Sequence, residues 1–84
     1  MRLDKFMKLA RIVKRRSLAE DLCREGLVKV DGRVAKPSHR VKTGQHIEVR
    51  LGRWLLEFEV LAVPEKNLHG DYVKLVRREE VEDI

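Results

Sequence analysis

The hydrophobic positions change period once along the chain. Wound at about 100° per residue, Leu3, Phe6, Met7, Ala10 and Val13 fall into one stripe, with Lys5, Lys8, Arg11 and Arg15 roughly opposite. This spacing predicts a helix that begins near Leu3 and ends around Val13 or Lys14, with Asp4 complementing the dipole in its first turn. Ser17-Leu18-Ala19-Glu20 has the form of a capping box, so a second helix is expected to start there. Leu18, Ala19, Leu22 and Cys23 would form its apolar side, and Gly26 would end it. Lys14, Arg15 and Arg16 then lie at the joint of a helical hairpin.

From Leu27 the period is two. Val28-Lys29-Val30 and Arg33-Val34-Ala35 flank Asp31-Gly32, a strong short-range hairpin signal. Val28, Val30 and Val34 are expected to face the helices, with Lys29 and Arg33 pointing outward. Lys36-Pro37-Ser38 breaks the strand, because proline cannot donate to a ladder. A turn over Val41-Lys42-Thr43-Gly44-Gln45 leads into the alternating strand Ile47–Leu51. Gly52-Arg53, with Trp54 in the turn, leads into a strand from Leu56 through Val60 to Val63, ended by Pro64. A polar loop is expected from Glu65 to Asp71, a last strand from Tyr72 to Val76, and an acidic tail, 77–84, that frays. The fold class is α+β: a two-helix hairpin packed on a small, mostly antiparallel sheet of four to five short strands. Residues 1–76 read as one domain, with a core motif in 1–51 and a strand extension in 52–76.

Charge changes this picture. The 84 residues have a net charge of +5 and a pI near 9.7. Residues 1–42 carry 13 basic and 5 acidic side chains, whereas 43–84 carry 6 and 9, so an anion-binding surface belongs to the N-terminal half. Between Met1 and Arg16 seven Lys or Arg residues face a single acid, Asp4. A merely solvated face is usually mixed in sign, with acids placed to pair the bases. Lys29, Arg33, Lys36, Arg40 and Lys42 extend the basic surface along the hairpin and loop. If about six phosphates are neutralised, log K should fall with log salt at a slope of roughly −4 to −5.

Other chemistry finds little support. One cysteine, Cys23, excludes an internal disulfide and a cysteine-clustered zinc site, and suits a reducing, cytoplasmic setting. His39, His46 and His69 lack metal-ligand spacing, and no glycine-rich phosphate loop or nucleophile elbow is present. Glu57 and Glu59 share one strand face, which reads as the solvent side. Phe6 and Phe58 take core positions, leaving Trp54 as the one candidate stacking platform, itself better read as packing. No catalytic residue, cofactor, metal or membrane contact is expected.

Arg2-Leu3-Asp4-Lys5-Phe6, Arg11, Lys14-Arg15-Arg16-Ser17-Leu18-Ala19, Gly26 through Gly32 and Val41-Lys42-x-Gly44 together resemble the RNA-binding domain family of small-subunit ribosomal protein S-four, over Met1 to about Leu51. The family pattern usually has Asp where this chain has Gln45, a difference expected to affect the local turn. The resemblance implies two helices on a small sheet with an RNA-binding face. Arg2, Lys5, Lys8, Arg11, Lys14, Arg15 and Arg16 would be the main contacts, and Lys29, Arg33, Lys36 and Lys42 a secondary rim. A free-standing chain of this length is similar to the ribosome-associated quality-control and small heat-shock branches of that family. That likeness implies a monomer when free that binds ribosomal RNA and tRNA on the large ribosomal subunit obstructed by peptidyl-tRNA, alongside other quality-control factors, while alanine is added to the stalled chain. Arg2, Arg15 and Arg16 are favoured as contacts, because guanidinium forks onto two phosphate oxygens. Arg2→Ala or Arg16→Ala is expected to weaken subunit binding with little change in melting temperature. The alternatives are a protein–protein adaptor using Trp54 or the acidic tail, and a general structured-RNA chaperone.

Overall fold

The computed structural model describes residues 1–64 and 71–81. Helices α1 (Leu3–Leu9) and α2 (Arg16–Arg24) precede five strands: β1 (Val28–Val30), β2 (Arg33–Val34), β3 (His46–Leu51), β4 (Trp54–Val60) and β5 (Val73–Glu80). The strands form one antiparallel sheet in the order β2-β1-β3-β4-β5. Leu3, Phe6 and Met7 of α1, Ala19, Leu22 and Cys23 of α2, and Val28, Val30, Ile47 and Val49 of the sheet share one buried core. The α+β class and the two-helix arrangement are as the pattern predicts.

Both helices end in the same way. At α2, Gly26 (φ 77°) donates its amide to Cys23 and Leu27 donates to Leu22, a Schellman motif with glycine in the left-handed position. At α1, Arg11 takes that position with φ 61°: its amide donates to Lys8, and Ile12 donates to Met7 at 2.9 Å. The first helix therefore stops at Leu9, not at Val13 or Lys14. With the chain turned at Arg11, Ile12 and Val13 both fold into the core.

The N-cap of the second helix is Arg15, two residues before the expected Ser17, and makes no side-chain cap bond. The capping box is not made. Ser17 is exposed in the first turn, and Glu20 approaches Arg16 and Arg24 at 4.0 and 3.7 Å instead. Winding Arg16 into the helix carries its guanidinium to Asp4, the contact described below.

Asp31 (φ 50°) and Gly32 (φ 83°) make the expected two-residue hairpin turn, of type I′. Its register sets Val30 opposite Arg33 and Lys29 opposite Val34. Val34 consequently shares a face with Lys29 and is 60% exposed, while Arg33 lies on Val30's face, the reverse of the expected orientation for both. Gly52 and Arg53 form the β3–β4 turn and Trp54 already belongs to β4. β4 ends at Val60, short of the expected Val63. β5 passes the expected end at Val76, so Arg77 to Glu80 pair with β4 and do not fray. The loop expected from Glu65 onward and the tail end, with Glu82 and Asp83, lie outside the described residues, apart from Asp71.

Candidate nucleic-acid interface

The N-terminus is held in place by main-chain bonds to the loop before β3. The first amides of a helix have no partner within it, and here the amides of Leu3 and Asp4 donate to the carbonyls of His39 and Pro37 at 2.8 and 3.2 Å. Val41 donates to Met1, and Arg2 and Arg40 form an isolated antiparallel bridge. The loop itself is fixed at Gln45, whose Oε1 accepts the Lys42 amide at 2.8 Å and lies 3.3 Å from the His39 ring. The Asp-to-Gln difference thus falls on a turn contact.

This stitching opens a groove of about 860 Å³ lined by Met1, Arg2, Lys5, Arg16, Arg40, Val41, Lys42, Thr43, Val63 and Pro64. Five cations, from the start of α1, from α2 and from the loop, converge there beside Met1, Val41, Val63 and Pro64. Four of them, Arg2, Lys5, Arg16 and Lys42, belong to the expected contact set. Arg40 belongs to the wider basic surface but not to the residues the resemblance implied, and only its pairing with Arg2 reveals its place. Lys8, Arg11, Lys14, Arg15 and Lys29 are exposed outside the groove's lining. Arg33 and Lys36 line a separate cleft of about 340 Å³ with Val30, Ala35 and His39.

Beneath the groove lies Asp4, with 0% of its side chain exposed. Its Oδ1 accepts Arg2 Nε at 3.2 Å and the Lys5 amide at 2.7 Å, and stands 3.3 Å from Arg16 Nη2. Its Oδ2 accepts Arg2 Nη2 at 3.1 Å. Burial by itself would raise the Asp4 carboxyl, but the Arg2 bonds, the Lys5 amide and Arg16 outweigh it and hold the group below its ordinary value. The acid read as a helix-dipole residue is the anchor of two arginines. The same burial, aided by the Asp4 charge, pushes the Cys23 thiol up to about 11 and leaves it an inert packing group.

A second polar cluster lies on the outer sheet face. His46 Nδ1 and Glu57 Oε2 are 2.9 Å apart, and Arg77 Nη2 reaches Glu48 at 2.7 Å and Glu57 at 3.4 Å. Glu48 and Glu57 are direct cross-strand partners, and Arg77 offsets their repulsion. Glu57, read as solvent-facing, is a half-buried member of this network. Trp54 is also half-buried, with the Arg78 guanidinium 4.5 Å from its ring centroid, so it is a packed residue and not an open platform. Among the described residues no cluster of His, Cys, Asp and Glu is arranged to hold a metal ion, and no helix is long and apolar enough to cross a membrane.

The S4 domain family matches residues 1–47, which hold both helices, the β1–β2 hairpin and all five groove cations in one continuous segment. This chain belongs to the S4 domain family. It is 45% identical over 65 residues to a protein of Halalkalibacterium halodurans named RQC P-site tRNA stabilizing factor, covering 77% of this chain and 74% of that one. The protein of that name from Bacillus subtilis is 43% identical over 60 residues, 71% of this chain and 70% of the relative. A heat shock protein 15 homolog of Aeromonas salmonicida is 37% identical, over 94% of this chain and 60% of its own length. The trimeric structure of Vibrio cholerae heat shock protein 15 superimposes with a TM-score of 0.80 at 29% identity, covering 90% of this chain and 81% of that one.

Proposed function

We propose that the chain is a non-enzymatic RNA-binding protein whose Arg2–Lys5–Arg16–Arg40–Lys42 groove seats on phosphates of ribosomal RNA and tRNA. It acts in the cytoplasm on the large ribosomal subunit obstructed by peptidyl-tRNA, where it holds the tRNA in place during ribosome-associated quality control and alanine addition to the stalled chain. The observation that carries this reading is the convergence of five cations on one groove with no acid among its described lining residues, while the buried Asp4 behind it is paired with Arg2 and Arg16. Such a surface follows phosphates and shape without reading base edges. The relatives named for stabilising P-site tRNA support the choice of RNA. The described lining of the groove comes from one chain, which supports a monomer as the binding unit, and sedimentation of the free protein tests this against the trimer seen in the Vibrio relative.

Co-sedimentation with isolated large subunits is the direct test. Wild type should pellet with subunits carrying peptidyl-tRNA, and Arg16→Ala or Arg40→Ala should pellet less. Equal pelleting of all three would count against the groove. The adaptor alternative loses one of its two anchors, because Trp54 is packed under Arg78, and rests on the acidic tail. Retention of a protein partner after nuclease treatment would restore it.

A further inference from the structure

We infer that Asp4 is the positioning residue of this groove, fixing Arg2 and Arg16 at the spacing in which their outer edges take phosphate oxygens; the inference rests on the RNA-binding reading above. Arg2 caps α1 and Arg16 opens α2, and one fully buried carboxylate holds both. Arg2 gives Asp4 a two-point fork through Nε and Nη2, and Arg16 gives a single nitrogen, Nη2. Yet 45% and 42% of the two side chains stay exposed, facing the groove. Each arginine is thus held by Asp4 while part of its side chain stays open to the groove.

Two effects of Asp4 on RNA binding oppose each other. A carboxylate under a phosphate site repels the ligand. Against this, it removes the rotamer freedom of two long side chains before the ligand arrives. The repulsion acts on any polyanion, whereas the fixed spacing benefits only a ligand whose phosphates match it. Removing the charge should therefore move the two classes of ligand in opposite directions, an outcome a purely structural role does not produce.

The experiment compares wild type and Asp4→Asn for binding to isolated large ribosomal subunits and to heparin, at a temperature where the circular dichroism of the variant matches wild type. Asp4→Asn should bind subunits about tenfold more weakly and heparin as well as or better than wild type. In an Arg2→Ala/Arg16→Ala background it should cause no further loss on subunits. Subunit affinity of Asp4→Asn equal to or above wild type overturns the positioning role, as does parallel loss on both ligands. If wild type itself fails to bind subunits, the RNA-binding reading has failed, and that control shows it without reference to Asp4. Should Asp4→Asn not fold, Arg16→Lys takes its place. It keeps the charge, but one ammonium nitrogen must serve Asp4 and a phosphate from a single point, without the separate inner and outer edges of a planar guanidinium, so about fivefold weaker subunit binding is expected. Undiminished binding by Arg16→Lys overturns the inference.

Discussion

A single residue terminates the first helix, and it is an arginine where glycine would be easier. Arg11 is exposed and has φ 61°, a left-handed conformation that costs a side-chain-bearing residue on the order of 1 kcal/mol. Arg11→Gly should raise stability by about 0.5–1 kcal/mol in urea unfolding, after allowing for the greater freedom of glycine in the unfolded chain. Arg2 and Arg16 behave oppositely. Because each holds the buried Asp4, Arg2→Ala or Arg16→Ala should cost about 1–2 kcal/mol and lower the melting temperature, correcting the expectation of an unchanged one. Calorimetry beside the binding assay separates the two effects. His46 supplies a pH signature: its hydrogen bond to Glu57 raises its pKa above the ordinary 6.5, with burial opposing and the charges of Glu57, Glu59 and Asp31 adding to the rise. This contribution is complete below the unfolded value and is lost as pH rises through the higher folded one. The melting temperature should fall slightly from about pH 6 to pH 8, and Glu57→Gln should flatten that slope.

At the scale of elements, the informative strand is β5. Its residues Arg77 to Glu80 pair with Trp54 to Glu57, Arg77 bridges Glu48 and Glu57, and Arg78 covers Trp54. A chain stopped after Val76 loses four cross-strand pairs and should unfold about 1–3 kcal/mol more easily. A frayed tail could be removed at no cost. Where folded, the truncated chain should still bind subunits, because the groove draws nothing from β5. The contrast with α1 and α2 is in what holds each element. The helices meet through a core and an ion pair, and the far strands through edge pairing and surface charge.

The molecule as a whole is elongated, 43 by 23 by 22 Å, with the basic groove formed by the helices and the β2–β3 loop and the mixed-charge cluster on β3 to β5. If the five groove cations each meet a phosphate, log K for RNA should fall against log salt with a slope of about −3.5 to −4.5. Replacing Arg40 or Lys42 by Ala should reduce that slope by about 1, whereas replacing Lys74, on the far edge strand, should leave it unchanged. Filter binding across a salt series reads both. An equal change from Lys74→Ala would mean that net charge, and not the groove, governs affinity.

The order of elements, the hairpin at Asp31-Gly32, the core residues of α1 and the placement of positive charge in the N-terminal half were legible in the sequence, because periodicity, turn chemistry and composition are local properties. Four of the five groove cations stood among the contacts that the family resemblance implied. The end of α1 was not legible, since Arg11 carries no glycine signal and the turn is driven by burial of Ile12 and Val13. Nor was the hidden role of Asp4, which needs Arg16 brought across from the second helix. Arg40 reached the groove only through the stitching of the loop to Met1, Leu3 and Asp4. The sequence by itself determined that this protein has a core side and a charged side. The tertiary structure decided which charges converge, because Arg16 reaches the Arg2–Asp4 pair only when the packed core fixes the distance between the two helices.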